Sequence, residues 1–321
     1  MIKLGDKFLK GSYPPIITPF RDSKVDFERF ASLVERQVRE GSHGLVITGT
    51  TAEPSSLTIE ERSELVKVAV NTVAGRLPVV AATGSQSYEE TTELTARAER
   101  AGADALLVVT PYYIRPPQAG LVEYFVAVGK RTALPLLIYH IPGRAGVSVC
   151  TETVLKVAER LPNLVGMKHA AADLDLVSEL LLRLGVEFRI FCGLESLSLP
   201  MLSIGATGLM NAVGNLAPAR VALLCEEVAK GNLAAARKLH FDLFELNQAI
   251  FLDTNPIPLK YMMWRAGLLE SAEVRLPLVP LDERKRETLD DILRRAGKRE
   301  GSHSCPGSSH PLSMNLLQSR R

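Results

Sequence analysis

One amine and a ring of hydroxyls are the groups in this sequence best placed to do chemistry. Lys168 closes the apolar run Leu164-Val165-Gly166-Met167. A lysine on a buried strand is costly unless it is neutralised, paired or used covalently. Desolvation would make its amine a nucleophile toward a ketone. If the strand instead ended one residue early, Lys168 would simply be solvated, and the residue by itself does not separate these readings. Tyr139 ends a second run, Pro135-Leu136-Leu137-Ile138, and a phenol can relay a proton to and from a carbinolamine. It could equally cap a barrel rim. Thr50 and Thr51 follow Gly49 in a tight turn, where two hydroxyls and successive N–H groups would suit a carboxylate. The ordinary alternative is a connecting turn leading into a capped helix, with Thr58 and Glu61 as a capping box. Tyr112 and Tyr113 are adjacent, so they cannot both face one lumen; one could be catalytic and the other structural or inter-subunit. Arg144, in Pro142-Gly143-Arg144, could fork onto a second carboxylate or remain solvated. Together these groups fit one reaction: a carboxylate in the Thr50-Thr51 turn, a ketone carbon at Lys168 and a proton relay through Tyr139.

Such groups need a frame that brings strand ends together. Eight short apolar runs, at 14–18, 44–48, 78–83, 105–110, 135–139, 164–168, 188–192 and 207–211, read as strands buried on both faces. Between them lie helical periods at 26–40, 58–74, 88–100, 118–131, 151–160, 174–184 and 194–204. This alternation predicts an α/β fold, a parallel (β/α)8 TIM barrel over residues 1–215, whose active residues sit at the C-terminal strand ends. The ends also include Thr18, Thr83, Thr110, Met210 and Asn211. An open doubly wound sheet lacks its phosphate-binding signature, since neither GxGxxG after the first strand nor GxxxxGK[ST] occurs. Further helices at 218–230, 232–251, 256–269 and 282–296 form a C-terminal helical appendage over 216–296. The Ser-, Pro- and Gly-rich stretch 297–321, with His303 and His310, is expected to be a disordered tail.

Composition narrows the function classes. A net charge of +2 with no basic stripe gives no case for nucleic acid. No run of eighteen apolar residues is present, and the N-terminus carries charges where a signal peptide is apolar, so a cytoplasmic protein without a membrane span is expected. The four cysteines, Cys150, Cys192, Cys225 and Cys305, show no metal-like spacing and suit reduced thiols. His43, His140 and His169 do not form a ligand set with clustered carboxylates, so neither a metal nor a cofactor is expected.

Five separated stretches carry a family resemblance. They are Ile17-Thr18-Pro19-Phe20, the segment from Gly49 to Thr58, the Thr110-Pro111-Tyr112-Tyr113 run, the segment from Ile138 to Arg144 and the segment from Gly166 to Ala170. Over residues 11–296 the chain resembles the dihydrodipicolinate synthase/N-acetylneuraminate lyase family of class I aldolases. The resemblance implies that Lys168 forms an imine with pyruvate and that Thr50 and Thr51 hold its carboxylate. It implies a proton relay of Tyr139, Thr50 and Tyr113, with Met210 lining the substrate pocket. Tyr112 looks like the tyrosine that reaches a neighbouring subunit's site, which implies a homotetramer built as a dimer of dimers. Arg144 looks like the residue that receives the carboxylate of a small aldehyde, aspartate semialdehyde in the synthases.

The chain also departs from the family pattern. Ala52 and Pro54 stand where synthases usually have Gly and Ser, and His169-Ala170-Ala171-Ala172 follows the lysine in place of Glu-Ala-Thr-Gly. A left-handed backbone at Ala52 would be strained, and Pro54 removes a donor. With Tyr113, Tyr139, Arg144 and Lys168 all present, the activity that the resemblance implies is that of 4-hydroxy-tetrahydrodipicolinate synthase. A catabolic pyruvate aldolase or 2-oxo acid lyase/dehydratase is the alternative that these departures favour.

Overall fold

The computed structural model describes residues 1–301, and the side chains of 1–297. Eight parallel strands form a nearly closed barrel. They are β1 (Gly11–Ser12), β2 (Leu45–Ile47), β3 (Val79–Ala82), β4 (Ala105–Val109), β5 (Leu136–His140), β6 (Leu164–His169), β7 (Arg189–Cys192) and β8 (Gly208–Leu209). Hydrogen bonding runs from β2 in order to β8 and on to β1. The ring is completed by a bridge between Pro15 and Val46, where Ile16 N–H donates to Val46 O at 2.9 Å and Val46 N–H to Pro14 O at 3.0 Å.

The pleat sorts side chains into two cores. Val46, Val80, Leu107, Leu137, Tyr139, Val165, Phe191 and Met210 fill the lumen, with Leu9 and Tyr13 packed among them. Ile47, Ala81, Leu106, Ile138, Met167, Ile190 and Cys192 face outward against the helices. The connecting helices are α1 (Phe27–Arg39), α2 (Ile59–Val73), α3 (Tyr88–Arg100), α4 (Gln118–Gly129), the short α5 (Pro142–Ala145), α6 (Thr151–Arg160), α7 (Leu174–Leu184) and α8 (Ser198–Ser203). Four of them, α1, α2, α3 and α7, start at side-chain caps: Asp26, Ser87 and Asp173 each accept an N–H of the first turn, and Thr58 with Glu61 closes the expected capping box. The C-terminal region carries four helices, α9 (Pro218–Ala229), α10 (Leu233–Ala249), α11 (Ile257–Arg265) and α12 (Glu283–Gly301), the last two joined by an irregular stretch over 266–282.

Three expectations shift. The first strand is not the apolar run at 14–18 but Gly11–Ser12, because Pro14 and Pro15 lack the N–H donors that a central strand needs. The helical period at 194–204 divides into a 3-10 turn, Glu195–Leu197, and α8. Helix α12 runs on to Gly301, into the stretch expected to be a tail, while His303, Cys305 and His310 lie outside the described residues. Among the described residues no helix is long and apolar enough to cross a membrane.

Candidate active site

Lys168 and Tyr139 are direct partners across the β5–β6 ladder, and the pleat turns both into the lumen, since their neighbours Met167 and Ile138 face the helices. Both are buried, and the Lys168 Nζ lies 4.3 Å from the centroid of the Tyr139 ring. Tyr139 Oη meets Thr50 Oγ1 at 3.3 Å. The strand does not end early, so the solvated reading of Lys168 does not hold. Beyond the lysine, Gly193 leaves the space its stem occupies: a Cβ there would stand 2.6 Å from Lys168 Cε. Met210 shares the lumen cluster with Tyr139 and Phe191.

Thr50 and Thr51 open a 3-10 turn, Thr50–Ala52, that follows β2. Thr18 Oγ1 donates to Ala52 O at 2.8 Å, tying the turn to the end of the first barrel segment. Thr51 Oγ1 accepts from Asn255 Nδ2 at 3.0 Å. An amide N–H can only donate, so the Thr51 hydroxyl keeps its own hydrogen for another acceptor, as a carboxylate-binding group requires. The backbone O of Asn255 accepts from Arg144 Nη2 at 3.2 Å. Asn255 therefore joins the threonine turn to the arginine of α5, although more than a hundred residues separate it from either. No motif in the sequence pointed to it.

The departures at positions 52 and 54 are accommodated. The left-handed conformation falls on Glu53, at φ 58°, rather than on Ala52. Pro54 opens the next 3-10 turn, where its missing N–H has no intrahelical partner to lose. His169 faces outward and its Nδ1 lies 3.0 Å from Nδ1 of His140, which follows Tyr139 on the neighbouring strand. Burial pulls the His140 imidazole down to about 4 and lowers that of His169, so the pair is neutral near neutral pH. None of these changes puts a new side chain beside Lys168.

Tyr113 is not brought to Tyr139 within the chain. It is 86% exposed, with φ 72°, an unusual conformation for a bulky residue and a mark of strained, functional positions. Tyr112 is half-buried. In this single chain the expected relay is therefore two-membered, Tyr139 with Thr50, and Tyr113 points outward with Ile114.

Sequence reasoning also missed Glu195, which is fully buried just past β7. Its Oε1 accepts from Ala212 N–H at 2.6 Å and its Oε2 has no partner. Burial lifts this carboxyl to about 7, against backbone hydrogen bonds and the charge of Lys168, which lower it. Among the described residues no three His, Cys, Asp or Glu side chains come together as a metal site.

Comparison with known proteins gives one answer. The model of the dihydrodipicolinate synthetase family matches residues 8–296. A 4-hydroxy-tetrahydrodipicolinate synthase of Thermus thermophilus is 49% identical over 293 residues, 91% of this chain and 96% of that protein. Another, from Nitratidesulfovibrio vulgaris, is 39% identical over 90% of this chain and 98% of its own length. Among solved structures, the 4-hydroxy-tetrahydrodipicolinate synthase of Methylacidiphilum fumariolicum superposes with a TM-score of 0.89 at 38% identity, covering 91% of this chain and 97% of that one. The dihydrodipicolinate synthase of Aquifex aeolicus superposes with a TM-score of 0.87 at 37% identity, over 89% and 97%. A barrel that sets a lumenal lysine beside a tyrosine–threonine pair, matched over nearly all of its described length, belongs to the dihydrodipicolinate synthase family.

Proposed function

We propose that the protein condenses pyruvate with aspartate semialdehyde through an imine on Lys168, the activity for which its relatives are named. The observation that carries this reading is the buried Lys168 amine against the Tyr139 ring, with the Tyr139 hydroxyl in reach of Thr50. In this reading the pyruvate carboxylate accepts from the hydroxyls of Thr50 and Thr51. The amine adds to the ketone carbon, and Tyr139 returns a proton to the carbinolamine oxygen, which leaves as water. Loss of a methyl proton from the resulting iminium gives an enamine, which attacks the aldehyde carbon. Arg144 receives the carboxylate of the semialdehyde; one of its five N–H donors is spent on Asn255, which steadies the fork.

A Tyr113 contribution to the relay would come from a second copy of the chain, because the residue faces outward with Ile114. That exposed pair supports assembly into the homotetramer implied by the family, and the cytoplasm is the compartment such an enzyme would occupy. The catabolic alternative loses its main support, since Ala52 is unstrained and His169 faces away from the pocket.

Borohydride reduction in the presence of pyruvate should leave a covalent adduct on Lys168, absent from Lys168→Ala. Turnover should follow with aspartate semialdehyde and not with a panel of 4-hydroxy-2-oxo acids. An adduct with no turnover of the semialdehyde overturns the assignment of the second substrate, and no adduct overturns the imine.

A further inference from the structure

The Thr50–Ala52 turn is held from outside the barrel. Glu53, the next residue, is buried in its left-handed conformation and pairs with the Nζ of Lys260, itself fully buried on α11. Lys260 also donates to Glu273 O at 2.8 Å, and its Nζ lies 4.0 Å from the centroid of the Phe20 ring. The three ammonium hydrogens thus have three receivers: a carboxylate, a carbonyl and an aromatic face. The second oxygen of Glu53 accepts from the Arg275 N–H at 3.2 Å. Burial pulls the Lys260 ammonium down to about 8 against the opposing pull of Glu53, so this charge sits in an expensive place. Five residues earlier along the chain, Asn255 grips Thr51. The residues leading into α11 and its first turn therefore hold the threonine turn at two points, Thr51 and Glu53, on either side of Ala52.

A buried ion pair is a poor device for stability, because apolar residues of similar volume often serve as well or better. What directional bonds supply is a fixed geometry. We propose that Glu53 and Lys260 are positioning residues for the 2-oxo acid substrate, holding the threonine turn so that its hydroxyls meet the carboxylate, and that α11 thereby belongs to the catalytic apparatus. The proposal rests on the reading that this turn receives the pyruvate carboxylate. Neither residue is a catalytic residue, since both lie behind the turn.

The test compares Lys260→Met, Glu53→Gln and the double variant Glu53→Met/Lys260→Met with Thr51→Val. For each, the KM for pyruvate, kcat and the melting temperature are measured. The single variants should raise the KM for pyruvate about tenfold or more while kcat stays within about threefold. The double variant leaves no charge unpartnered, so it should melt near the parent yet keep the raised KM. Recovery of both properties in the double variant would reduce the pair to a structural contact and overturn the proposal, as would an unchanged KM in folded Glu53→Gln. Thr51→Val separates the underlying reading: an unchanged KM there refutes the carboxylate assignment itself, whereas a raised KM beside indifferent Glu53 and Lys260 variants refutes only the positioning role.

Discussion

Gly193 offers the sharpest test of whether the Lys168 amine must stand where it is. An alanine Cβ at this position would lie 2.6 Å from Lys168 Cε, 3.2 Å from its Cγ and 3.0 Å from Ala170 Cβ. Carbon atoms in ordinary contact are about 3.5–4.0 Å apart, so the lysine stem must swing by about 1 Å. The backbone at 193 is outside the left-handed region, so alanine adds no strain of its own. The colliding atoms belong to a flexible side chain and a methyl group, which limits the cost in stability to about 1–3 kcal/mol. A reacting atom displaced by about 1 Å costs on the order of a hundredfold in rate. Gly193→Ala should therefore fold, melt a few degrees below the parent and lose about a hundredfold in kcat/KM, with a matching fall in the rate of borohydride-trapped adduct. Parental kinetics in a folded Gly193→Ala protein would falsify the claim that the void at 193 sets the position of the amine.

Two further outcomes follow from the same geometry. Tyr139→Phe deletes only the hydroxyl that meets Thr50, so turnover should fall by about 10²–10⁴ while slow adduct formation on Lys168 persists; an unchanged kcat removes the tyrosine from the proton path. Glu195 has its native carboxyl raised from the usual 4.5 to about 7, so between those values the native state keeps a proton that the unfolded chain has released. Stability must then fall as pH rises through that window, by on the order of 3 kcal/mol from this group. Glu195→Gln lacks the titration and should gain on the parent from pH 4.5 to 8 in denaturant unfolding; parallel profiles would refute the buried-acid assignment.

Periodicity made the barrel legible because strands buried on both faces are apolar throughout and the intervening helices are amphipathic. Helices α3, α6 and α7 begin and end where their sequence periods do, since Ser87 and Asp173 cap two of them and Arg100, Arg160 and Leu184 close the repeats. The seam strands were harder. β1 and β8 are two residues each, too short for a period, and the prolines at 14 and 15 disguise a rim segment as a strand. Lys168, Tyr139 and the threonine turn stood out because each ends an apolar run. Asn255, Glu53 and Lys260 act through partners about two hundred residues away, and pairing at that separation leaves no mark on local pattern. Lys260 alone carried a signal, as a cation set between Leu259 and Tyr261-Met262-Met263.

The two strands that present Lys168 and Tyr139 to the lumen present His169 and His140 to the helix layer, one residue further along. Parity along the strand thus decides which nitrogen the pocket contains. The register between β5 and β6 shifts once, where β6 takes up an extra residue at Val165, so Val165 and Lys168 both face the lumen although three positions apart. An insertion absorbed in that bulge would leave the amine in the pocket. One placed between Gly166 and Lys168 would turn the ammonium toward the apolar helix contacts and take the nucleophile out of the site.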